Sequence, residues 1–181
     1  MKPITKVLFN PSPSAPVVIS NPVSSLRVNL STNKSQYILG EDVRVNFSVS
    51  EDAYVSIFSI GSDGIISQIF PNANDGYNFI QAGQQVSLPR NNDYRLTMYG
   101  PAGVDKLVAI ASTNPNLNFS GIAELRTASV FPEYDGDLIS FGSKLMGRIV
   151  AEGNRSSNTV SSARATILND FSSTTIRYGV K

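Results

Sequence analysis

Short runs in which apolar and polar residues alternate are the main pattern between residues 26 and 112. The clearest run is residues 43–49, where valines and a phenylalanine occupy every second position. A period of two is the pattern of a half-buried β-strand. Similar runs, bounded by turn residues, predict further strands over residues 26–30, 37–39, 53–60, 65–70, 79–83, 84–89, 94–100, 106–112 and 173–180. Short strands at this spacing are typical of an antiparallel sandwich.

Turn residues separate the predicted strands. Asp63 and Gly64 are a hairpin signal, because both residue types tolerate a positive φ. Pro71 and Pro89 each predict the end of a strand, since proline cannot donate a hydrogen bond to a neighbouring strand. Residues 72–78 are predicted to form a polar loop.

The last third of the chain contains a stretch with helical periodicity. Apolar residues at helical spacing predict a helix over about residues 137–152, with Asp137 as its N-cap and Gly153 as its stop. Gly142 and Gly147 weaken this helix, because each glycine costs up to about 1 kcal/mol. The fold prediction is therefore mainly β, an antiparallel sandwich with one C-terminal helix.

An extended N-terminal arm is predicted to precede the sandwich, which itself occupies residues 25–181 as a single domain. Residues 1–24 contain five of the ten prolines of the chain, and proline fixes φ and removes a backbone donor. One interpretation is a linker. The other is an arm that lies across a partner or across its own sheet, because it has apolar residues that a linker does not need. Its candidate partner-binding residues are Val7, Phe9, Val17 and Ile19.

Composition excludes several function classes. The chain has no cysteine and no histidine, which excludes disulfides, thiolate metal sites, the Ser-His-Asp triad and histidine-ligated metals. The net charge is +1 with no long basic run, so the electrostatic footprint of a nucleic-acid-binding protein is missing. No apolar stretch approaches the ~20 residues that span a bilayer.

The first residues lack the apolar core of a signal peptide, because Pro3 and Lys6 interrupt it. A cytoplasmic protein is one interpretation of this. The other, which we favour, is a mature form whose signal peptide is missing from this chain and whose Met1 was supplied as a start.

A series of motifs in a fixed order runs from residue 40 to residue 115. The series comprises an opening strand pair, a hairpin that ends in F-P-N, a segment that ends in L-P and a final segment that ends in a proline. The residues that carry it are Gly40, Glu41, Val43, Val45, Phe47, Asp52, Ala53, Tyr54, Val55, Asp63, Gly64, Phe70, Pro71, Asn72, Ala82, Gly83, Val86, Leu88, Pro89, Gly100, Pro101, Gly103, Asp105, Leu107, Ala109, Ile110, Ala111, Ser112 and Pro115. The series resembles the family catalogued as domain of unknown function 4384, over about residues 26–115. Residues 116–181 match nothing in that family.

The resemblance implies an immunoglobulin-like sandwich, a place in bacterial exported or envelope-associated proteins, and no established catalytic residues. We therefore expect a non-catalytic structural or protein-interaction module of the bacterial cell envelope, located in the periplasm, the envelope or at the cell surface. Its expected partners are other envelope or surface proteins. A surface-layer assembly is expected by analogy, because the chain is rich in serine and asparagine and free of cysteine, like bacterial surface-layer proteins. The alternative function is that of an accessory domain that binds polysaccharide or calcium. A carboxylate-dependent enzyme is the least favoured hypothesis.

Two loops carry the remaining candidate residues. Asn72 either faces a partner or begins an Asx-type turn, and turn chemistry favours the second interpretation. Asn72, Asn74 and Asp75 offer oxygens to calcium but include only one carboxylate. The better metal candidates are the three carboxylates of residues 133–137, for which a solvated loop that caps the helix is the structural alternative. These carboxylates are Glu133, Asp135 and Asp137.

Overall fold

Strands dominate the part of the chain that the computed structural model describes, which comprises residues 24–115, 130–134, 136–137, 140–142, 144 and 171–181. The strands are β1 (Val28–Thr32), β2 (Gln36–Tyr37), β3 (Val45–Val49), β4 (Ala53–Ile60), β5 (Ile66–Phe70), β6 (Phe79–Ile80), β7 (Val86–Leu88), β8 (Gly103–Ser112) and β9 (Phe171–Val180). The prediction of a mainly β protein with antiparallel sheets is confirmed.

Two sheets contain all nine of these strands. The three-stranded sheet has the order β1-β3-β7. The six-stranded sheet has the order β2-β9-β8-β4-β5, with β6 also paired to β4. Every pairing is antiparallel except that of β2 with β9. Strand β9 pairs with β8 along its whole length, from Gly103↔Val180 to Ser112↔Phe171, so the end of the chain extends the sheet that the middle of the chain forms.

One hydrophobic core joins the two sheets. Val45, Phe47 and Val49 of β3 are buried, as the alternation in the sequence predicts. They belong to the same cluster of buried side chains as alternate residues of β4 and β8 in the other sheet. Across this core, the rings of Phe47 and Phe70 lie 5.5 Å apart. The inner faces of both sheets are therefore apolar.

The outer face of the six-stranded sheet is covered as well. Phe58 of β4 and Val108 of β8 point to this face and are buried. Phe141 lies over it, with its ring 5.0 Å from Phe58 and 5.3 Å from Tyr134. Burial on both faces explains why β4 and β8 are nearly continuous apolar runs instead of alternating ones.

Two other sequence predictions have different outcomes. The predicted strand over residues 94–100 is wrong, because its main partner is the irregular stretch 40–43. The two segments share only an isolated bridge between Asp42 and Thr97 and a few backbone bonds around it. At the predicted helix, residues 140–142 and 144 are helical, and Asp137 Oδ1 accepts a hydrogen bond from the Ser140 amide at 2.7 Å. Most of residues 137–152, and the arm before Ser24, lie outside the described residues.

Candidate interaction surface

Most of the exposed apolar side chains of the described residues lie at one end of the two sheets. Strand pairing defines this end, because Ile60 at the end of β4 lies opposite Lys106, and Gly103 at the start of β8 lies opposite Val180. Gly40 is bonded there to Met98 through its amide. The exposed side chains that this topology brings to one end are Ile38, Leu39, Ile65, Tyr99 and Val104. These five residues are called the apolar end.

Tyr77 is the remaining large apolar side chain that is exposed in the described part of the chain, and it lies outside the apolar end, in the loop over residues 72–78. It precedes Asn78, whose carbonyl accepts a hydrogen bond from Val55 near the start of β4. Tyr99 is 81% exposed and Tyr77 is 70% exposed. The two tyrosines therefore form a matched pair, one within the apolar end and one outside it.

Two loops that carry residues of the apolar end are held together by hydrogen bonds. The Ser62 amide donates to Asp105 Oδ1 at 2.8 Å, and the Ser62 hydroxyl donates to the carbonyl of Pro101 at 3.2 Å. A Cβ atom added at Gly103 would lie 2.5 Å from the Cβ of Ser62, so only glycine permits this approach. Burial raises the pKa of Asp105 above its ordinary value of 3.8, against the lowering effect of the Ser62 bond. The loops that carry Ile65 and Tyr99 are thus fixed relative to each other.

A cleft of about 340 Å³ opens beside the apolar end. Residues of both sheets line it, with apolar side chains such as Val43, Leu96 and Leu107. Its charged lining consists of three carboxyl groups and one guanidinium group, those of Asp63, Asp105, Glu133 and Arg95. Tyr178 also lines it, and burial raises the pKa of this tyrosine to about 12. The arrangement offers an apolar groove with an excess of acidic groups, which suits a partner with apolar and basic side chains.

The loop over residues 72–78 is closed by a buried ion pair. Both carboxylate oxygens of Asp75 accept bonds from Arg90 Nε, at 2.9 and 3.0 Å, and a second guanidinium nitrogen completes a bidentate contact. The Tyr94 hydroxyl donates to Asp75 Oδ2 at 3.0 Å. The guanidinium carbon of Arg90 lies 4.9 Å from the centre of the Phe70 ring. Burial and the Asp75 charge raise the pKa of Tyr94 to about 12.

This network occupies the polar side chains that the loop could otherwise offer to a ligand. Arg90 is not a solvated surface charge, because it pairs with a carboxylate whose side chain is only 6% exposed. Asn72 is 7% exposed, its Nδ2 donates to the Ile69 carbonyl, and its Oδ1 accepts from the Asn74 amide at 2.9 Å. This geometry supports the Asx-turn interpretation of Asn72. Its partner-binding role stays a prediction, and its side chain and that of Asp75 are already engaged within the chain.

The other predicted site residues are only partly described. Asp137 is exposed and caps the helical residues, and Glu133 is half-buried with its backbone bridged to Ser67. Asp135 lies outside the described residues, so the carboxylate trio stays a prediction. Among the residues that the structure does describe, no group of three acidic side chains is placed to hold a metal ion. Val7, Phe9, Val17 and Ile19 lie outside the described residues.

Sequence patterns alone did not identify the apolar end. Its members are separated by up to 66 positions. Four of them lie outside the strands, where alternation breaks down, and Val104 is the second residue of β8. An apolar residue directly after a turn, such as Ile65 after Asp63-Gly64, is the local signal that points to exposure. Only strand pairing brings the five residues to one end.

Comparison with known protein families gives a match over part of the chain. Residues 36–115 match the family described as Domain of unknown function (DUF4384). No curated protein shows significant similarity to the chain. The matched segment runs from β2 into the residues that follow β8, and it includes the hairpin of β4 and β5. In the described part of the chain, no helix has both the length and the apolar character needed to cross a bilayer.

Proposed function

Residues 36–115 match the DUF4384 family, and from that match we propose that the chain is a non-catalytic protein-interaction module of the bacterial cell envelope. The apolar end is its contact surface. The two sheets with one shared core support an immunoglobulin-like sandwich, and the capped helical turn at Asp137 supports a C-terminal helix. The envelope location rests on the family resemblance.

The clustering of exposed apolar side chains at one end carries this proposal. Large apolar residues scattered over a surface need no explanation, whereas five of the six that the described residues expose lie at one end. Tyr99 contributes an aromatic side chain of the kind enriched in protein interfaces. Ile65 lines the same cleft as Tyr99, and hydrogen bonds fix the loops that carry the two residues relative to each other, which lowers the entropy cost of binding.

The ion pair of the loop over residues 72–78 favours a structural role over catalysis. Asp75 and Arg90, the charged pair with the closest bidentate geometry, neutralise each other and support a loop. Contacts with other envelope or surface proteins, as in a surface-layer assembly, then occur through the apolar end.

Capture from envelopes of the source bacterium tests the proposal. The tagged chain is cross-linked in intact cells and recovered, and its partners are identified by mass spectrometry. We expect the chain in the envelope fraction, with a partner set that is lost from an Ile65→Ser/Tyr99→Ser variant. A Tyr77→Ser variant is the matched control and keeps the partners. Recovery in the cytoplasmic fraction, or the same partners with all three proteins, contradicts the proposal.

A second candidate function is polysaccharide binding, and a polar cleft of about 360 Å³ favours it. Arg44, Arg95, Asn91 and Asn92 line this cleft with side chains that donate to carboxylates and hydroxyl groups. Binding of an acidic glycan on an array, lost in an Arg44→Gln/Arg95→Gln variant, would support it. No binding to any glycan on the array would contradict it.

Calcium binding remains a proposal only for the loop over residues 133–137, because Asp75 is engaged by Arg90. We expect calcium to raise the melting temperature through that loop if its carboxylates are ligands. An Asp135→Asn variant should then lose the shift. No difference between calcium and EDTA contradicts the metal proposal.

A further inference from the structure

We propose that the cleft beside the apolar end binds the N-terminal arm, residues 1–24, of a second copy of this chain. Copies of the chain then associate head to tail. The inference deepens the proposed function and rests on it, since it names the partner of the same contact surface.

The arm and the cleft are complementary in charge and polarity. Lys2 and Lys6 are the only charged side chains in residues 1–24. The cleft has three carboxyl groups against the single guanidinium group of Arg95. Apolar residues of the arm, with Phe9 the largest of them, match the apolar lining that Leu96 and Leu107 provide. Opposite charge promotes encounter, and apolar burial supplies the affinity.

The proline content of the arm suits this kind of groove. Pro11, Pro13 and Pro16 favour an extended polyproline conformation, and Pro13 and Pro16 have P-x-x-P spacing. Proline-rich segments bind in grooves lined with aromatic side chains, because the preformed extended conformation loses little entropy on binding. Tyr99, Phe131 and Tyr178 line the cleft.

The direction of the chain favours a second copy as the source of the arm. Val28 of β1 pairs with Val49, and Thr32 pairs with Val45 close to the cleft. The Arg27 carbonyl accepts a hydrogen bond from the Ser50 amide, so the backbone at Arg27, directly before β1, continues in line with it, away from the cleft. An arm that returned to its own cleft would have to reverse its direction before the start of β1 and run back along that strand. An arm that continues outward instead reaches the next molecule, and such a head-to-tail contact generates open chains of copies.

Isotope-resolved photo-cross-linking of the full chain tests this inference. Phe9→p-benzoylphenylalanine is prepared in ¹⁵N-labelled form and mixed with unlabelled chain that has no photoreactive residue. We expect cross-links from position 9 to residues 96–100 of the unlabelled copy. Cross-links confined to ¹⁵N peptides of one chain show that the arm binds its own cleft and overturn the inference. Cross-links near Tyr77, or none at all, overturn it too.

Charge substitutions provide a second readout that does not depend on the photoreactive residue. Sedimentation velocity measures self-association of the full chain. An Ile65→Lys/Val104→Lys variant should associate at least about tenfold more weakly, since a charge buried in an interface costs more than the 1.4 kcal/mol that corresponds to that factor. A Tyr77→Lys variant should associate like the parent chain. Equal association of all three proteins contradicts the inference, while envelope capture that still depends on Ile65 and Tyr99 would leave the proposed function intact.

Discussion

Removal of the Arg90 guanidinium is expected to destabilise the protein strongly, because it leaves a buried carboxylate without its partner. The Asp75 side chain is 6% exposed and that of Arg90 is 26% exposed, so the pair is mostly shielded from water. Breaking a buried ion pair by removing one partner costs about 3–5 kcal/mol. The partial exposure of Arg90 places an Arg90→Met variant at the lower end of this range, about 3 kcal/mol. For a chain of this size, that loss lowers the melting temperature by about 6–12 °C.

Urea unfolding followed by tyrosine fluorescence measures this change, since the chain has seven tyrosines and no tryptophan. Arg95→Met is the matched control, because Arg95 is 81% exposed and lies 3.8 Å from its nearest carboxylate. An exposed pair of this kind contributes less than about 1 kcal/mol. Adding Asp75→Asn to Arg90→Met should recover at least about 1 kcal/mol, because a buried amide costs less than a buried unpaired charge.

The result that would refute this reasoning is an Arg90→Met variant as stable as Arg95→Met. A double variant that is no more stable than Arg90→Met would also refute it. In either case the loop over residues 72–78 would not depend on its ion pair.

Three further variants test other parts of the structure. Asp105→Asn should raise the melting temperature at neutral pH. Burial raises the pKa of Asp105 in the folded state, so ionisation of this carboxyl group disfavours folding. The gain in melting temperature should therefore vanish below the ordinary pKa of 3.8, where the carboxyl group is protonated in both states. An equal gain at all pH values would contradict this. Phe141→Ala should lower the free energy of unfolding by about 3 kcal/mol, because its fully buried ring covers Phe58. A decrease of less than about 1 kcal/mol, measured by urea unfolding, would show that the cover over the outer face of the six-stranded sheet contributes little to stability. Gly64→Ala should lower the free energy of unfolding by about 1 kcal/mol, since Gly64 has a φ of +85°. No atom lies within 4 Å of an added Cβ, so backbone strain and not a clash is the cause. An unchanged urea midpoint would contradict this strain.

The hairpin of β4 and β5 shows what could be predicted from the sequence. Asp63-Gly64 and Pro71 set the turn and the strand end through local chemistry, and the observed strand bounds lie within one residue of the prediction. The segment over residues 94–100 has the same alternation, yet it forms no strand because its partner is irregular. Alternation reports burial on one face, whereas strand assignment depends on a partner that the local sequence does not specify.

The candidate site could be predicted less well than the fold. Asp75 and Arg90 are 15 positions apart, and their contact depends on how the loops after β5 and β7 meet. Ile38 and Val104 reach the same end only because β2 and β8 both pair with β9. Such juxtapositions follow from tertiary topology, which no local pattern contains.

Footprinting of the two exposed tyrosines tests the central claim most directly, namely that the apolar end is the contact surface. Tyr99 and Tyr77 have similar exposure in the isolated chain, so hydroxyl radicals should modify them to a similar extent in dilute purified protein. In native cell envelopes we expect modification of Tyr99 to be largely lost, because an interface excludes water from its centre, while Tyr77 reacts as before. Equal modification of Tyr99 in the purified protein and in the envelope would contradict the account.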